Sequence, residues 1–345
     1  MDKRVTIEDI AKKLNKSKGL VSLALANKYG VSEETRSQII LEAIRMGYEF
    51  RPQKNVVSSK SNRRVNIMLV YIGDMLADEF YWARVISGLE RILRQNKAII
   101  SLMNAEELSP SEMLVSLYRS ECDGIIIVGS LQPEVTDQLN RLGRPLVMVD
   151  SSCISCDFTQ VRANNYTGAY LMAKYLYEKG HRHICFFGDT YSEETLAQRK
   201  EGVKRFAELF EKNGVTLDVL DARLDEGSRE YCSIAQLLEY IKQGNVATAM
   251  VCANDAIAER AYEIILKAGL KIPEDISVVG FDDTKRCENL SPKLTSAYVN
   301  TQKMGEIAVE QILKEIYLGR ESAESIQIEI EVPIIERESV KSLNL

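Results

Sequence analysis

Polar side chains stand directly after several short apolar runs of this 345-residue chain. Such runs end in Asp74, Asp150, Asn254 and Asp282. Carboxylate and amide groups accept or donate hydrogen bonds in fixed geometry, which suits a ligand rich in hydroxyl groups. Each residue alone has a simpler interpretation, since Asn254, for example, can cap the helix that follows it. Their common placement at strand ends favours a binding site for a small polar molecule.

Residues that hold metals or attack substrates are scarce in the sequence. The chain has two histidines, His181 and His183, and seven scattered cysteines. Cys153 and Cys156 form its single CxxC spacing, which is weak evidence for a redox or metal role. The sequence contains no P-loop, dinucleotide-binding glycine motif, nucleophile elbow or HExxH motif. We therefore expect no enzyme activity, no metal, no cofactor and no catalytic residues, and thiols that stay reduced without a disulfide framework.

The elements that position these side chains alternate along the chain from residue 65 onward. Short apolar runs are separated by amphipathic stretches of helical length. Continuous apolar strands with crossover helices are typical of parallel sheets covered on both faces. Seven such strands over roughly 270 residues predict an α/β body of two doubly wound lobes rather than one. The predicted strands are Val65–Ile72, Ala98–Met103, Gly124–Val128, Leu146–Asp150, Ile184–Gly188, Ala249–Ala253 and Ser277–Phe281.

The first 64 residues differ in charge from the rest of the chain. They carry a formal net charge of +7, the remainder carries −13, and the whole chain carries −6. Three short amphipathic helices are predicted here, with Thr6, Ser17 and Ser32 as N-caps. Two short helices joined by a three-residue turn in a basic segment form a helix-turn-helix pattern, whose second helix reads DNA. A small helical oligomerisation module is the alternative that the pattern leaves open.

The head also resembles a known DNA-binding module. Thr6-Ile-Glu-Asp-Ile-Ala11, Val21-Ser22, Val31-Ser-Glu-Glu-Thr-Arg36 and Gly47-Tyr48 match the headpiece of the lactose-repressor/galactose-repressor (LacI/GalR) family, without gaps from Thr6 to Tyr48. The resemblance implies double-stranded operator DNA as a partner. The residues expected at the DNA are Thr6, Ser17, Lys18, Gly19, Ser22, Leu23 and Lys28.

One departure from the family concerns the reading of bases. The family usually has arginine directly after the Val-Ser of the recognition helix, where it can donate two hydrogen bonds to guanine. Leu23 takes this position here and offers only apolar contact, for instance to a thymine methyl group. Gly19, at another readout position, adds no side chain. We therefore expect an operator unlike the family's usual one, and the alternative is a head that no longer binds a specific sequence.

Residues 51–64 form a polar, basic and serine-rich stretch typical of a domain linker. The resemblance implies a short hinge helix here, which wedges a leucine into the minor groove. The family's Ala-Arg-x-Leu pattern is absent from this stretch, which is about two residues longer than in the family. Val56 or Val57 would serve as a smaller wedge. A flexible basic tether is the alternative.

The body resembles the effector domain of the same family and, beyond it, the periplasmic sugar-binding proteins. Matching motifs include Asn164-Asn-Tyr-Thr-Gly168, Arg199-x-x-Gly202, Ala253-Asn-Asp255 and Pro273-x-Asp-Ile-Ser-Val-Val-Gly-Phe-Asp-Asp283. The resemblance implies an aromatic face against a sugar ring and a guanidinium that donates to sugar hydroxyls. The residues that it places at the effector are Phe80, Tyr81, Asp150, Arg199, Asn254 and Asp282. A solvated helix residue or a plain salt bridge is the alternative for Arg199.

These resemblances predict a ligand-responsive transcriptional regulator, most simply a repressor, that binds DNA as a homodimer. A sugar or sugar phosphate is the expected effector rather than a nucleoside, and the sequence leaves open whether a protein corepressor takes part. The alternative is a small-molecule-binding protein with a degenerate head. No apolar run has the length of a signal peptide or a membrane span, so we expect a cytoplasmic protein without membrane contact, associated with the nucleoid when bound to DNA.

The predicted domain boundaries follow from these assignments. The helix-turn-helix head covers residues 1–50 and the linker covers residues 51–64. The effector-binding and dimerisation body covers residues 65–335, and a tail follows at 336–345. The first lobe is predicted at about 65–163 and 294–322, and the second at about 164–293 and 323–335. Because the chain crosses between the lobes, they are expected to close around a ligand as rigid bodies.

Overall fold

A computed structural model describes residues 4–50, 63–72, 80–131, 133–151, 153, 156–189, 194–221, 234–244, 247–319 and 324–343. The chain divides into two compact units. The first unit comprises residues 1–77, 86–161 and 305–328, and the second comprises 78–85, 162–304 and 329–345. The head helices therefore belong to the same unit as the first lobe of the body.

The strands and helices are numbered in chain order. The strands are β1 (Asn66–Tyr71), β2 (Ile99–Asn104), β3 (Gly124–Val128), β4 (Leu146–Val149), β5 (Thr159–Ala163), β6 (His183–Gly188), β7 (Thr216–Asp221), β8 (Ala249–Cys252), β9 (Ser277–Asp282), β10 (Thr295–Tyr298), β11 (Gln327–Ile330) and β12 (Ile334–Ile335). The helices are α1 (Ile7–Lys13), α2 (Lys18–Leu25), α3 (Glu33–Met46), α4 (Trp82–Gln95), α5 (Pro110–Arg119), α6 (Pro133–Leu139), α7 (Asn165–Glu178), α8 (Glu194–Phe210), α9 (Ile234–Lys242), α10 (Asp255–Lys267), α11 (Arg286–Asn289) and α12 (Thr301–Leu318).

The first sheet has the strand order β11-β5-β4-β3-β1-β2. Strand β1 pairs in parallel with β2 and β3, so that Ile67 lies opposite both Ile100 and Gly124. Strand β4 continues the parallel pairing to β3 on one side and to β5 on the other. Every residue of β3 and β4 is buried, because both faces of these central strands are covered.

The second sheet has the strand order β12-β10-β9-β8-β6-β7. Its central strands pair in parallel, and β12 adds an antiparallel edge against β10. The apolar residues of β6 and β8 are buried, as their continuous apolar sequence predicts. Two parallel-sheet α/β subdomains are therefore present, which confirms the predicted fold class.

The head forms the three predicted helices with the predicted caps. Thr6 and Asp9 form a reciprocal capping box at α1, and the Ser17 and Ser32 hydroxyls accept hydrogen bonds from the first turns of α2 and α3. Gly47 ends α3 with φ +75°, a left-handed conformation that favours glycine. The apolar faces of the helices meet in a core whose fully buried members are Ile10, Val21, Ala24, Ile39, Ile40, Ala43 and Ile44.

Two of the predicted lobe boundaries are corrected by the strand pairing. Residues 294–299 were assigned to the first lobe, but β10 pairs in parallel with β9 and therefore lies in the second sheet. Residues 323–335 were assigned to the second lobe, but β11 lies beside β5 in the first sheet. Both segments contain short strands of mixed polar and apolar residues, and their sequence alone does not say which sheet they join.

The tail at 336–345 is part of the second unit as far as the structure describes it. The Ser339 hydroxyl is buried, donates to the Val278 carbonyl at 2.6 Å and accepts from the Thr295 amide at 2.8 Å. The amide of Lys341 donates to the Ser277 hydroxyl at 3.1 Å. These bonds attach the tail to β9 and β10, so the tail contributes to the second sheet's packing.

The CxxC pair differs from the expectation of fully reduced thiols. The structure joins Cys153 and Cys156 by a disulfide, with Cα atoms 5.6 Å apart. The buried side chain of Gln160 holds this segment, since it accepts from the Cys153 amide at 3.0 Å and donates to the Cys153 carbonyl at 2.8 Å. Among the described residues, the free cysteines are buried and lie at 122, 185, 252 and 287.

No helix in the described parts of the chain is both long enough and apolar enough to cross a membrane. Within the same residues, no group of three or more histidine, cysteine, aspartate or glutamate side chains has the arrangement of a metal site.

A pH dependence of stability is expected from His181, which is fully buried between β8 and the tail. Its ring nitrogens lie 2.9 Å from the Thr248 hydroxyl and 3.2 Å from the Lys341 carbonyl. Burial lowers the pKa of His181 below its usual value of 6.5. The unfolded chain therefore binds the extra proton first as the pH falls, so the free energy of unfolding decreases below about pH 6.5.

The variant His181→Gln removes this titration, so its stability is expected to fall less between pH 7.5 and pH 5 than that of the wild type. Urea unfolding at a series of pH values measures how steeply the free energy of unfolding changes with pH in the wild type and in the variant. The same pH dependence in both proteins would contradict the role given to His181.

Candidate DNA-reading head and effector site

Helix α2 exposes the side chains that were predicted to contact DNA. Val21 and Ala24 are buried against the head core, which fixes the opposite face toward solvent. Leu23 has 38% of its surface exposed, so its side chain is accessible to a partner. The exposed predicted contacts are Lys18, Gly19, Ser22, Leu23 and Lys28. This face combines positive charge with one apolar side chain, as direct contact with a duplex requires.

Thr6 and Ser17 stabilise the head helices themselves. The Thr6 hydroxyl donates to the Asp9 carboxylate at 2.6 Å and accepts from the Asp9 amide at 3.3 Å. The Ser17 hydroxyl accepts from the Leu20 amide at 3.2 Å. Both residues therefore cap helices, and a phosphate contact would come in addition. The two predicted wedge residues, Val56 and Val57, lie outside the described residues.

Arg36 holds the end of the recognition helix and was not singled out from the sequence. Its side chain is buried, and it donates to the Ala24 carbonyl at 3.2 Å and to the Lys28 carbonyl at 2.6 Å. These carbonyls belong to the last turn of α2 and the loop behind it.

Asp150 follows β4 directly in the first unit. Its φ is +54°, a left-handed conformation that aspartate adopts at some energetic cost. Its amide donates to the Val161 carbonyl of β5 at 2.9 Å. A residue in a strained conformation at the carboxyl end of a parallel strand is typical of a binding site.

Arg199 is the centre of the polar cluster in the second unit. Its side chain is 4% exposed, and its guanidinium donates from Nε to the Asn165 Oδ1 at 2.8 Å and from Nη1 to the Ala253 carbonyl at 2.7 Å. Nη2 pairs with the Asp282 carboxylate at 2.9 Å. The guanidinium also lies 3.8 Å from the centre of the Phe281 ring. Arg199 is therefore not a solvated helix residue, and it does form a salt bridge, with Asp282.

Asp282 ends β9 with φ +101°, and Asp283 follows with φ +52°. Two consecutive non-glycine residues in left-handed conformations store roughly 1–3 kcal/mol each. The surrounding contacts hold this turn, because Arg337 pairs with Asp283 at 2.7 Å and Arg84 donates to the Asp283 carbonyl at 3.4 Å. The strained turn fixes the Asp282 carboxylate in front of Arg199.

Asp255 stabilises the turn at Asp282 and Asp283 through hydrogen bonds to neighbouring residues. Its carboxylate is buried and accepts from the Thr284 amide at 2.6 Å and from the Ser296 hydroxyl at 2.6 Å. A Cβ at Gly280 would stand 2.4 Å from this carboxylate, so only glycine fits there. Burial raises the pKa of Asp255, and the hydrogen bonds from Ser296 and Thr284 oppose that rise.

Asn254 has the simpler role that its sequence position allowed. Its Oδ1 accepts from the Ile257 amide at 2.9 Å and so caps α10. The neighbouring Ala253 carbonyl accepts from Arg199, which brings the backbone at Asn254 to the edge of the cluster. A direct effector contact from Asn254 therefore stays a prediction.

Phe80 and Tyr81 stand just before α4, in the second unit. The Arg286 guanidinium lies 4.7 Å from the centre of the Phe80 ring, and the rings of Tyr81 and Trp82 meet edge to face at 5.0 Å. Both predicted aromatic residues are partly buried. They lie near the turn after β9, because Arg84 on the same short segment reaches the Asp283 carbonyl.

Asn165 is a part of the cluster that sequence reasoning missed. It is buried, accepts from Arg199 and donates to the Ala163 carbonyl at 3.2 Å. The signal was present, since Asn164 and Asn165 stand side by side in a matching motif. Asn164 caps α7, and the neighbouring Asn165 contacts Arg199.

Comparison with known proteins is consistent with this architecture. The family described as periplasmic binding protein-like domain matches residues 173–340. The transcriptional repressor PurR of Salmonella paratyphi B is 29% identical over 344 residues, which covers 97% of this chain and 96% of PurR. Over nearly its whole length, the chain is similar to transcriptional repressors of the LacI/GalR type.

Solved structures in this family share the fold. The CelR–cellobiose complex superposes with a TM-score of 0.70 at 22% identity, covering 97% of this chain and all of CelR. The lac repressor dimer bound to operator and the anti-inducer ONPF gives 0.67 at 20% identity over 98% of this chain and all of that one. A LacI family regulator from Enterococcus faecium with bound ribose gives 0.66 at 23% identity over 80% of this chain and all of that one.

Proposed function

We propose that the protein is a homodimeric repressor that reads operator DNA with α2 and responds to a neutral sugar held by Arg199 and Asp282. The observation that carries the effector assignment is the buried pair of these two side chains, 2.9 Å apart, at the end of β9. A guanidinium beside a carboxylate offers donors and acceptors at once, which matches the adjacent hydroxyl groups of a sugar.

The charge balance of the cluster favours a neutral sugar over a sugar phosphate. Asp282 already neutralises Arg199, and Arg337 is paired with Asp283 and Glu288. A phosphate would have to break one of these pairs to gain a cation of its own. Relatives crystallised with cellobiose and with ribose support the same ligand class.

The homodimer is supported by the edge of the first sheet. Strand β2 is an edge strand, and its exposed side chains include Ile99, Ile100 and Leu102, the last with 56% of its surface exposed. Exposed apolar side chains on an edge strand form a surface on which a second chain can pack. A second copy also provides the second recognition helix that a two-half-site operator needs. The lac repressor is a dimer on its operator.

The DNA-binding half of the proposal is tested by gel shift against the upstream region of the protein's own gene. We expect the wild type to bind this duplex at least 100-fold more tightly than random DNA, with affinity falling steeply as salt is raised. The variant Leu23→Ala is expected to lose about tenfold for the upstream duplex and little for random DNA, because it removes a base contact and no charge.

Leu209→Ala is the matched control, because Leu209 is likewise an exposed leucine on a helix but lies on α8. Equal binding of the wild type to both duplexes would contradict the repressor assignment. That outcome would favour the second candidate, a sugar-binding protein with a degenerate head. This candidate is motivated by Leu23 and Gly19, which offer few base contacts in the recognition helix.

A further inference from the structure

The head makes direct contacts with the first lobe of the body, and both belong to the same unit. Helix α3 packs against α5, and the cores of head and lobe form one continuous cluster of buried residues. Phe50, at the end of the head, is buried in this cluster. Its ring centre lies 4.5 Å from that of Tyr118 on α5 and 5.3 Å from that of Tyr48. An aromatic side chain thus anchors the head on the lobe.

Three polar contacts surround this anchor. Arg141 of the lobe donates from Nη1 to the carbonyls of Ile44 at 2.7 Å and Arg45 at 2.9 Å, both in the last turn of α3. A cation at a helix C-terminus is favourable because it satisfies open carbonyls and complements the helix dipole. Arg119 of α5 pairs with Glu33 at the start of the same helix. Both ends of α3 are therefore held by the lobe.

The recognition helix itself is held by the third contact. The Tyr118 hydroxyl donates to the Leu25 carbonyl at 2.7 Å, in the last turn of α2. Arg36 holds the adjacent carbonyl of Ala24 from within the head. The exposed face of α2, with Ser22 and Leu23, points away from these contacts and stays open to solvent. Docking therefore orients the recognition helix without covering its reading face.

The docking elements are also connected to strand β4, whose other end carries Asp150. Arg144, just before β4, donates to the Leu117 carbonyl at 2.8 Å and the Tyr118 carbonyl at 2.9 Å, which ties the end of α5 to that strand. Asp150 follows the other end of the same four-residue strand. The head thus docks at the amino ends of β3 and β4, and the predicted effector residue lies at the carboxyl end.

We propose that this docking surface, formed by Tyr118, Arg119 and Arg141 of the lobe and by Phe50 and the ends of α2 and α3 of the head, fixes the orientation of the recognition helix for DNA binding. The head then moves with the first lobe as one unit. A docked head also binds DNA without first losing the freedom of a tethered one.

The proposal rests on the proposed function for its DNA-binding half, and the experiment separates the two. Hydrogen–deuterium exchange is measured on the full-length protein without DNA, for the wild type and the variants Arg141→Ala and Tyr118→Phe. Arg141 is exposed and Tyr118→Phe removes a single oxygen, so both variants are expected to keep the fold. Exchange of the amides at 44–50 is expected to rise about tenfold in both variants, because these amides lie at the docking surface.

Arg94→Ala is the matched control. Arg94 is an exposed arginine of the same lobe, paired with Glu90 on its own helix, and its loss is expected to leave this exchange unchanged. The same proteins are then titrated against the upstream duplex at fixed salt. The two docking variants are expected to bind it about 5- to 10-fold more weakly than the wild type, and Arg94→Ala equally well.

Unchanged exchange in both docking variants would overturn the proposal. Increased exchange with unchanged or tighter binding to the upstream duplex would also overturn it, because the docked head would then be irrelevant or inhibitory. If the wild type shows no preference for the upstream duplex, the proposed function fails, and the exchange measurement still decides whether the head is docked.

Discussion

Replacing Arg199 by alanine is expected to abolish the response to the effector and to destabilise the second unit by about 3 kcal/mol. The side chain is nearly fully buried, and its loss leaves Asp282, Asn165 and the Ala253 carbonyl without their shared donor. Breaking a buried ion pair from one side is costly because the remaining carboxylate stays in a poorly solvated place. At about 2–4 °C per kcal/mol, the melting temperature should fall by roughly 6–12 °C.

The effector response is measured by thermal shift against a panel of pentoses, hexoses, disaccharides and their phosphates. The compound that stabilises the wild type is then tested on Arg199→Ala and Asp282→Ala, and both variants are expected to lose the shift. Arg205→Ala is the control, because Arg205 lies on the same helix α8 but is half exposed and pairs with Glu208 at 3.5 Å. A wild-type shift in Arg199→Ala would show that the effector binds elsewhere.

Gly202→Ala is expected to produce the second large effect. Helices α7 and α8 approach so closely here that a Cβ at Gly202 would stand 2.2 Å from the Tyr166 carbonyl oxygen and 3.1 Å from the Tyr170 amide nitrogen. These are backbone atoms, so relief requires the two helices to separate. The gain of about 1 kcal/mol in helix propensity is smaller than the cost of such overpacking, and we expect a net loss of about 2 kcal/mol or more.

The same substitution should weaken the effector response. Arg199 on α8 and Asn165 on α7 are joined by a 2.8 Å hydrogen bond, which requires the close approach of the two helices at Gly202. Urea unfolding and the thermal-shift assay measure the two effects. Gly19→Ala is the contrasting variant, since a Cβ at this helical glycine meets nothing within 4 Å and should stabilise the head slightly. Stabilisation by Gly202→Ala would contradict the described helix packing.

Much of the local structure was predictable, because local interactions decide it. Thr6, Ser17 and Ser32 cap the helices that the sequence assigns to them, and Gly47 ends the third. The apolar runs at β3, β4 and β8 form buried strands, whereas the run at Ala98–Met103 forms the exposed edge strand β2. A cap needs only its neighbours along the chain, and a strand buried on both faces needs only a run of apolar residues.

The strand pairings at the sheet edges were not predictable in the same way. Strands β10 and β11 were each assigned to the wrong sheet, because the sequence of a four-residue strand does not identify the strand with which it pairs. The Cys153–Cys156 disulfide was likewise not expected from one isolated CxxC spacing. Both features depend on residues that are distant in the chain or on the geometry of one loop.

The sequence by itself determined the resemblance to LacI/GalR regulators, the basic head, the three capped helices and the α/β character of the body, since each depends on local pattern and residue type. Only the tertiary structure decided what the key side chains do. It buried Arg199 between Asn165 and Asp282, gave Asn254 the role of a helix cap, and placed Tyr118 against the recognition helix. The physical reason is that burial, ion pairing and close backbone approach arise between elements far apart in sequence, and no spacing along the chain encodes them.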